Sequence, residues 1–429
     1  MDKITFDQLQ EVLFHEKLDN GLNVYILPKK GFNKTYATFT TNYGSVDNQF
    51  VPLGKTELTT VPDGIAHFLE HKLFEKEDGD VFQDFSKQGA SANAFTSFTR
   101  TAYLFSSTSN VELNLETLID FVQSPYFTEK TVEKEKGIIG QEITMYDDNP
   151  DWRLYFGVIE NMYKNHPVRI DIAGTIDSIA KITKDMLYEC YETFYHPSNM
   201  VLFVVGPIDP EKIMAQIKSN QAKKDYQDQS EIERHFEDEP IEVNEKKKVL
   251  EMNVQSSKCM VGVKALNPSR KGDELLKQEL SMTILLDWLF GKSSKHYQAL
   301  YDEGLIDDTF SYDYTEEQGF GFAIVGGDTS KPDELSAKLR NIMLSSKKQG
   351  ITSEELDRVK KKKIGAFLRS LNSPDYIANQ FTRYAFNDMN LFDVVPVMES
   401  LTVDDITKIG NEIFDEVRMT ECQVIPKKK

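Results

Sequence analysis

The feature that most limits how this chain can fold is a repetition in the order of its segments. In the first half, residues 22–27 and 36–43 alternate apolar and polar side chains, as half-buried strands do. A helical pattern follows at 63–74. Two more strand-like runs come at 91–96 and 101–107, then helices, then a short apolar strand at 200–205. The second half repeats that order. Strands are expected at 248–254 and 260–265, a helix at 274–290, and paired strands at 310–314 and 320–325. Helices follow at 333–344, 353–371, 373–387 and 403–414, with a last strand at 421–425. Residues 218–245, between the halves, are polar and charged, with few large apolar side chains. The expected fold class is therefore α+β, with two related domains, each an antiparallel sheet packed with helices. The boundaries fall at 1–217, a linker at 218–245, and 246–429.

Local patterns add detail. The runs 22–27 and 36–43, with Asn20-Gly21 before them, read as adjacent antiparallel strands. Asp63 is the expected cap of the helix that follows. Gly137 and Gly140 lie inside the helical run 128–146, where glycine costs stability, so close packing against a helix or a cofactor is expected there. Gly291-Lys292-Ser293 resembles the end of a phosphate loop, but position 286 is Leu and the preceding residues read as helix, so nucleotide binding is rejected. The run Lys360-Lys361-Lys362-Lys363 reads as a solvated helix face.

The chemistry is concentrated in His67-Phe68-Leu69-Glu70-His71, of the form H-x-x-E-H. Two imidazoles four residues apart share one face of a helix. With Glu70 beside them they offer two metal ligands and a carboxylate able to act on a nearby water. Glu135 and Glu142 are seven apart, close to two helical turns, and also share a face. Standing alone, they would be read as solvated surface. The segment Ser91-Ala92-Asn93-Ala94-Phe95-Thr96 has small side chains that leave backbone groups accessible to an extended peptide. An ordinary edge strand with a turn at Ser97 fits it equally. His166-Pro167 and His196-Pro197 are loop-like, and their histidines are read as local hydrogen-bonding groups rather than ligands.

Bulk properties exclude several classes. The net charge of -19 argues against nucleic acid and anionic membrane as partners. No segment approaches the length of a membrane-spanning helix. The first residues, Met1-Asp2-Lys3-Ile4-Thr5-Phe6, lack the pattern of a secretory signal. Three cysteines, Cys190, Cys259 and Cys422, are odd in number and far apart, which fits buried thiols in a reducing compartment. A cytoplasmic location is expected.

With these residues in hand, the sequence resembles the M16 zinc peptidases, the clan of pitrilysin, insulysin and mitochondrial processing peptidase. His67, Glu70 and His71 carry the resemblance first. Glu135-Lys136-Gly137-Ile138-Ile139-Gly140-Gln141-Glu142 resembles the downstream E-x-x-x-V/I-x-x-E element, at a somewhat shorter spacing than is usual in the family. Asn20-Gly21-Leu22 and Gly44-Ser45, the run 89–96 with Asn93-Ala94, and Tyr195-His196-Pro197-Ser198-Asn199-Met200 followed by Gly206 agree with it. The similarity covers nearly the whole chain and is greatest to the small bacterial processing-protease-like members of subfamily B.

The resemblance implies LuxS/metalloprotease-like domains forming half of a clam-shell chamber. It implies Zn2+ held by His67, His71 and Glu142, with Glu70 as the catalytic base and Glu135 as a carboxylate supporting the site. Asn93 and Ala94 become the substrate-binding residues of an edge strand. One element departs from the family. The Arg and Tyr that contact substrate in active members have no match, because Tyr301 stands at the arginine position and Asp307 near the tyrosine. The resemblance then implies a related M16-like partner subunit supplying that pair, with a homodimer as the alternative, or substitution by Tyr312 or Tyr314. Two further readings stay open: a catalytically inactive structural or regulatory subunit, and a scaffold protein with a fortuitous motif.

Overall fold

A computed structural model describes residues 1–77, 79–265, 270–317 and 319–427. The strands are β1 Asp2–Phe6, β2 Glu11–Lys17, β3 Asn23–Pro28, β4 Thr35–Thr41, β5 Gln49–Phe50, β6 Thr59–Thr60, β7 Glu75–Lys76, β8 Gly79–Asp80, β9 Ala90–Thr96, β10 Thr101–Ser107, β11 Met200–Gly206, β12 Lys247–Met252, β13 Lys258–Lys264, β14 Ser311–Glu317, β15 Phe320–Asp328 and β16 Met419–Pro426. The helices are α1 Ile65–Leu73, α2 Val81–Lys87, α3 Val111–Val122, α4 Glu129–Asp147, α5 Pro150–Met162, α6 Ile176–Ile179, α7 Lys184–Phe194, α8 Pro210–Gln221, α9 Gly272–Phe290, α10 Lys295–Asp302, α11 Pro332–Gln349, α12 Ser353–Ser370, α13 Pro374–Phe386, α14 Val394–Ser400 and α15 Val403–Ile413.

The first unit comprises residues 1–143, 171–236 and 370–386. Its seven-stranded sheet has the order β1-β2-β3-β11-β4-β10-β9. The strands β3 and β4, expected as neighbours, are separated by β11, which runs parallel to β3 and antiparallel to β4. β11 reads Met-Val-Leu-Phe-Val-Val-Gly and is buried at every position, as a strand covered on both faces must be. Helix α13 packs on β4 and β11, and its Phe381 ring lies 4.8 Å from Tyr25 and 4.7 Å from Phe203. β9 forms one border of the sheet and, among the described residues, pairs with β10 alone, placing Asn93 opposite Leu104 and Ala94 opposite Tyr103.

The second unit comprises residues 144–170, 237–369 and 387–429. Its five-stranded sheet has the order β12-β16-β13-β15-β14. This repeats β3-β11-β4-β10-β9 strand for strand, including one parallel pair, β12 with β16. Each sheet is therefore antiparallel apart from one junction. The packing units also do not follow the linear division at 217 and 245. Helix α5 belongs with β13 and β16, and α13 belongs with β4 and β11. The α5 contact depends on two glycines. A Cβ on Gly157 would stand 2.7 Å from Cys422 Sγ, and one on Gly262 would stand 2.7 Å from Val158 Cγ2. Part of the expected linker is fixed to this unit. The Glu239 carboxylate accepts the backbone N–H groups of Lys164, Asn165 and His166 and pairs with the fully buried Lys264 ammonium.

Three local expectations change. Asp63 does not cap α1; Gly64 does, in the left-handed region at φ 88°, while Asp63 accepts from Asn48. Gly64 also sits where a Cβ would come 2.4 Å from the Ala173 carbonyl oxygen. Gly137 and Gly140 are not closely packed, since a Cβ at either would meet nothing within 4 Å beyond its chain neighbours and its own helix backbone. The lysine run is not wholly solvated: Lys362 and Lys363 reach the buried Asp287 carboxylate at 3.0 and 3.3 Å. No described helix is long and apolar enough to cross a membrane.

Candidate metal centre

Helix α1 is short and buried on nearly all sides, with Phe68, Leu69 and Leu73 fully enclosed. It packs against β9, β10 and α7. Its apolar residues fix the helix, so the two histidines spaced one turn apart are held on a common face. Their rings lie 4.6 Å apart between centroids at 65°. Helix α4 buries a narrow stripe, Val132, Glu135, Ile139 and Ile143. A carboxylate within an otherwise apolar stripe is the local sign that Glu135 has a partner.

The two helices meet through these residues. His71 Nδ1 and Glu135 Oε1 are 3.1 Å apart. Glu142 spans both imidazoles, with Oε1 3.7 Å from His67 Nε2 and Oε2 3.5 Å from His71 Nε2. Among the described residues, His67, His71 and Glu142 are the one group of three or more His, Cys, Asp or Glu side chains whose ligand atoms converge, all within 4.8 Å of one another. A tetrahedral zinc with bonds of about 2.0–2.2 Å sets its ligand atoms roughly 3.3–3.6 Å apart. The two histidine–glutamate separations, 3.7 and 3.5 Å, lie near that spacing, and two imidazole nitrogens with a carboxylate are a donor set suited to zinc. The histidines differ in support. Glu135 holds His71 through Nδ1, whereas His67 Nδ1 is buried with no hydrogen-bond partner among the described residues.

Burial and charge divide the protonation states. Burial, helped by the neighbouring His71, pushes His67 down to about 4, so its ring is neutral at ordinary pH. Burial works against the cation of His71 as well. The Glu135 hydrogen bond and the charges of Glu70, Glu142 and Glu135 outweigh it, and His71 lies above its usual value. Glu135 is correspondingly held below its usual range, its burial overcome by His71. Burial raises Glu70, against the opposing effect of a hydrogen bond from Thr96.

The site opens into a cavity of about 740 Å³ within the first unit. Its walls include Glu70, His71 and Glu135, the aromatic rings of Phe74 and Phe82, and Asn93 and Ala94 of β9. The residues expected to hold the metal, act as base, support the site and bind substrate thus reach one region, His67 and Glu142 through the ligand cluster and Glu70, His71, Glu135, Asn93 and Ala94 through the cavity wall. His166 and His196 stay outside it. His166 accepts from Val168 N–H, and His196 bonds to Ser198 and the Gln227 carbonyl. Sequence reasoning missed Thr96, whose hydroxyl donates to Glu70 Oε2 at 2.6 Å. It also missed the Phe74–Phe82 stack, with centroids 4.2 Å apart. The spacing of Phe74 and Phe82 spans a helix end and a turn and carries no periodic signal. Tyr312 and Tyr314, the candidate substitutes for the absent Tyr, give their hydroxyl protons to Asp287 and Glu316.

Comparison with known proteins gives a consistent result. Residues 50–176 match the family described as insulinase (peptidase family M16), and residues 181–363 match the peptidase M16 inactive domain. The chain is 68% identical over 424 residues to the zinc protease YmfH of Bacillus subtilis (strain 168), covering 99% of each. It is 26% identical over 421 residues to zinc protease PqqE of Helicobacter pylori (strain ATCC 700392 / 26695), covering 95% of this chain and 92% of that one. Its fold matches the crystal structure of an M16-like peptidase from Alicyclobacillus acidocaldarius with a TM-score of 0.94 at 41% identity, over 97% of this chain and 99% of that one.

Proposed function

The chain belongs to the M16, or insulinase, family of peptidases, and on that premise we propose that it is a zinc-dependent endopeptidase or oligopeptidase acting on unfolded peptides. The observation that carries this reading is the convergence of His67 Nε2, His71 Nε2 and Glu142 beside the buried Glu70. Zinc held by those three side chains would polarise the scissile carbonyl and make a water acidic enough to attack it. Glu70 takes the proton of the attacking water and carries it to the leaving amine nitrogen. Burial raises its carboxyl above the ordinary carboxylate value, which strengthens it as a proton acceptor. Glu135 fixes the His71 ring through Nδ1, which keeps Nε2 directed at Glu142. Asn93 and Ala94 hold the peptide against β9 as an added strand, which places its carbonyl beside Glu70.

The chain acts in this reading as the zinc-bearing subunit of a two-subunit cytoplasmic protease. Tyr301 and Asp307 in place of the family's Arg and Tyr support the division of labour. So do the hydroxyls of Tyr312 and Tyr314, which are committed to carboxylates. The three cysteines are buried and form no disulfide, in keeping with a reducing compartment. The test is hydrolysis of unstructured peptides by the zinc-loaded chain, alone and with a related second subunit, with a chelator control. Hydrolysis that requires zinc and rises on adding the second subunit is the expected result. A pure protein that binds zinc substoichiometrically and never cleaves would instead make this an inactive structural or regulatory subunit. The match of residues 181–363 to the inactive-domain description is the observation favouring that alternative.

A further inference from the structure

We propose that Thr96 is a positioning residue that ties the Glu70 carboxylate to the strand β9, so that the proton-transferring group and the peptide-binding edge move as one body. The proposal rests on the peptidase reading above. Its geometry stands on its own. Glu70 projects from α1, and its Oε2 accepts the Thr96 hydroxyl proton at 2.6 Å. Among the described residues Thr96 is the one hydrogen-bond donor to this carboxylate. Oε1 is left to exchange protons with water and with the leaving amine.

Thr96 is itself held firmly. It ends β9 and pairs across the hairpin with Thr101. Thr101 is fully buried and donates its hydroxyl to the Tyr43 carbonyl at 2.9 Å, with its oxygen 3.4 Å from that of Thr96. The anchor therefore reaches past β10 to Tyr43, two residues beyond the end of β4. Ala94, two residues before Thr96, lies on the same side of the strand. Its backbone N–H is accepted by Asn93 Oδ1 at 2.9 Å. A peptide joining β9 at Ala94 thus adds to a strand whose next same-side residue grips the base. Register on the strand and position of the carboxylate are set by one rigid segment, and a peptide bound one residue out of register would present its carbonyl at the wrong place.

A hydrogen bond to a charged group contributes enough that its loss should lower kcat about 10- to 100-fold. Thr96→Val keeps the shape and removes the hydroxyl, whereas Thr96→Ser keeps the hydroxyl. The expected result is a fall of that size in kcat for T96V, with KM within about threefold of the parent and zinc stoichiometry unchanged. T96S should recover most of the rate. In a Glu70→Gln background T96V should have no further effect, because both changes act through one group. Crystal structures of the zinc-loaded parent and T96V give a readout free of turnover: the Glu70 side chain should leave its position in T96V. Equal kcat for T96V and parent, equal damage from T96S and T96V, or an unmoved Glu70 in T96V would each overturn the proposal. If the parent never cleaves peptide, the peptidase reading fails, while the Glu70 position in the two structures still decides the role of Thr96.

Discussion

The two sheets follow one strand order, and their corresponding border strands, β9 and β14, have opposite characters. β9 carries Ser91, Ala92, Asn93 and Ala94, small groups beside an acidic cavity. β14 carries Tyr312, Tyr314 and Glu316, whose polar ends are closed off within their own unit. The buried charges differ in the same way. In the second unit Asp287 meets Lys362, Lys363 and Tyr312, and Glu239 meets Lys264 and three backbone N–H groups. In the first unit Glu135 and Glu142 both face His71, and Glu142 also faces His67. One topology therefore holds two uses of buried charge. Where each carboxylate has its own cation, the charge holds the fold together. Where carboxylates and imidazoles aim at a common point, the arrangement suits a bound cation.

Four changes would break or sharpen that contrast. Glu70→Gln should lower peptide hydrolysis by on the order of 10²–10⁴ while zinc stays bound; turnover near the parent rate with zinc present would remove Glu70 from the role of base. Glu239→Ala should have the reverse profile. It removes the counter-charge of the buried Lys264 ammonium, leaving it the Pro240 and Glu242 carbonyls, and should cost about 3–5 kcal/mol of stability in denaturant unfolding, with zinc stoichiometry unaffected. Loss of zinc in that variant would mean that the two kinds of charge cluster are not separate. Glu135→Gln should weaken zinc by about 10- to 100-fold in chelator competition and leave the fold intact, because it only orients a ligand.

The smallest expected effect is on pH dependence. A ligating imidazole must be neutral, so a proton on His71 competes with zinc. Because His71 lies above its ordinary 6.5, affinity should be greatest above its raised value and fall as pH drops through it, roughly tenfold per pH unit. His67, held at about 4, should add no second proton until far lower pH. Competition titrations between pH 8 and 5.5 check this, and a two-proton slope there would contradict the assignment. Glu239 predicts a different window for the second unit. Its folded carboxyl lies below the ordinary 4.5, so its contribution is fully present above that pH and disappears as pH falls through the depressed value.

Much of this was legible in local spacing. The i, i+4 histidines announced a helix face, and the repeated segment order announced two related sheets. Other features were hidden because they depend on distant partners. Strands β3 and β4 looked adjacent in sequence, yet β11, contributed from residue 200 onward, lies between them. The lysine run looked solvated because its helix period says nothing about Asp287, 75 residues away. Asp63 fitted the chemistry of a cap, but the chain enters α1 through a left-handed glycine instead. Thr96 gave no signal at all, since a threonine ending a strand is ordinary until its hydroxyl is found on a carboxylate.

By itself the sequence determined the pairs: His67 with His71 on one helix, Glu135 with Glu142 on another, each set by the 3.6-residue period. That period is a property of the backbone and can be read without knowing the neighbours. Only the tertiary structure decided that the pairs face each other. It brings Glu135 to His71 across 64 residues and Thr96 to Glu70 across 26. The physical reason is that these meetings are fixed by how α1 and α4 pack and by the register of β9 on β10. Both follow from burying apolar residues such as Phe68, Leu69, Ile139 and Phe105, which touch no proton or metal.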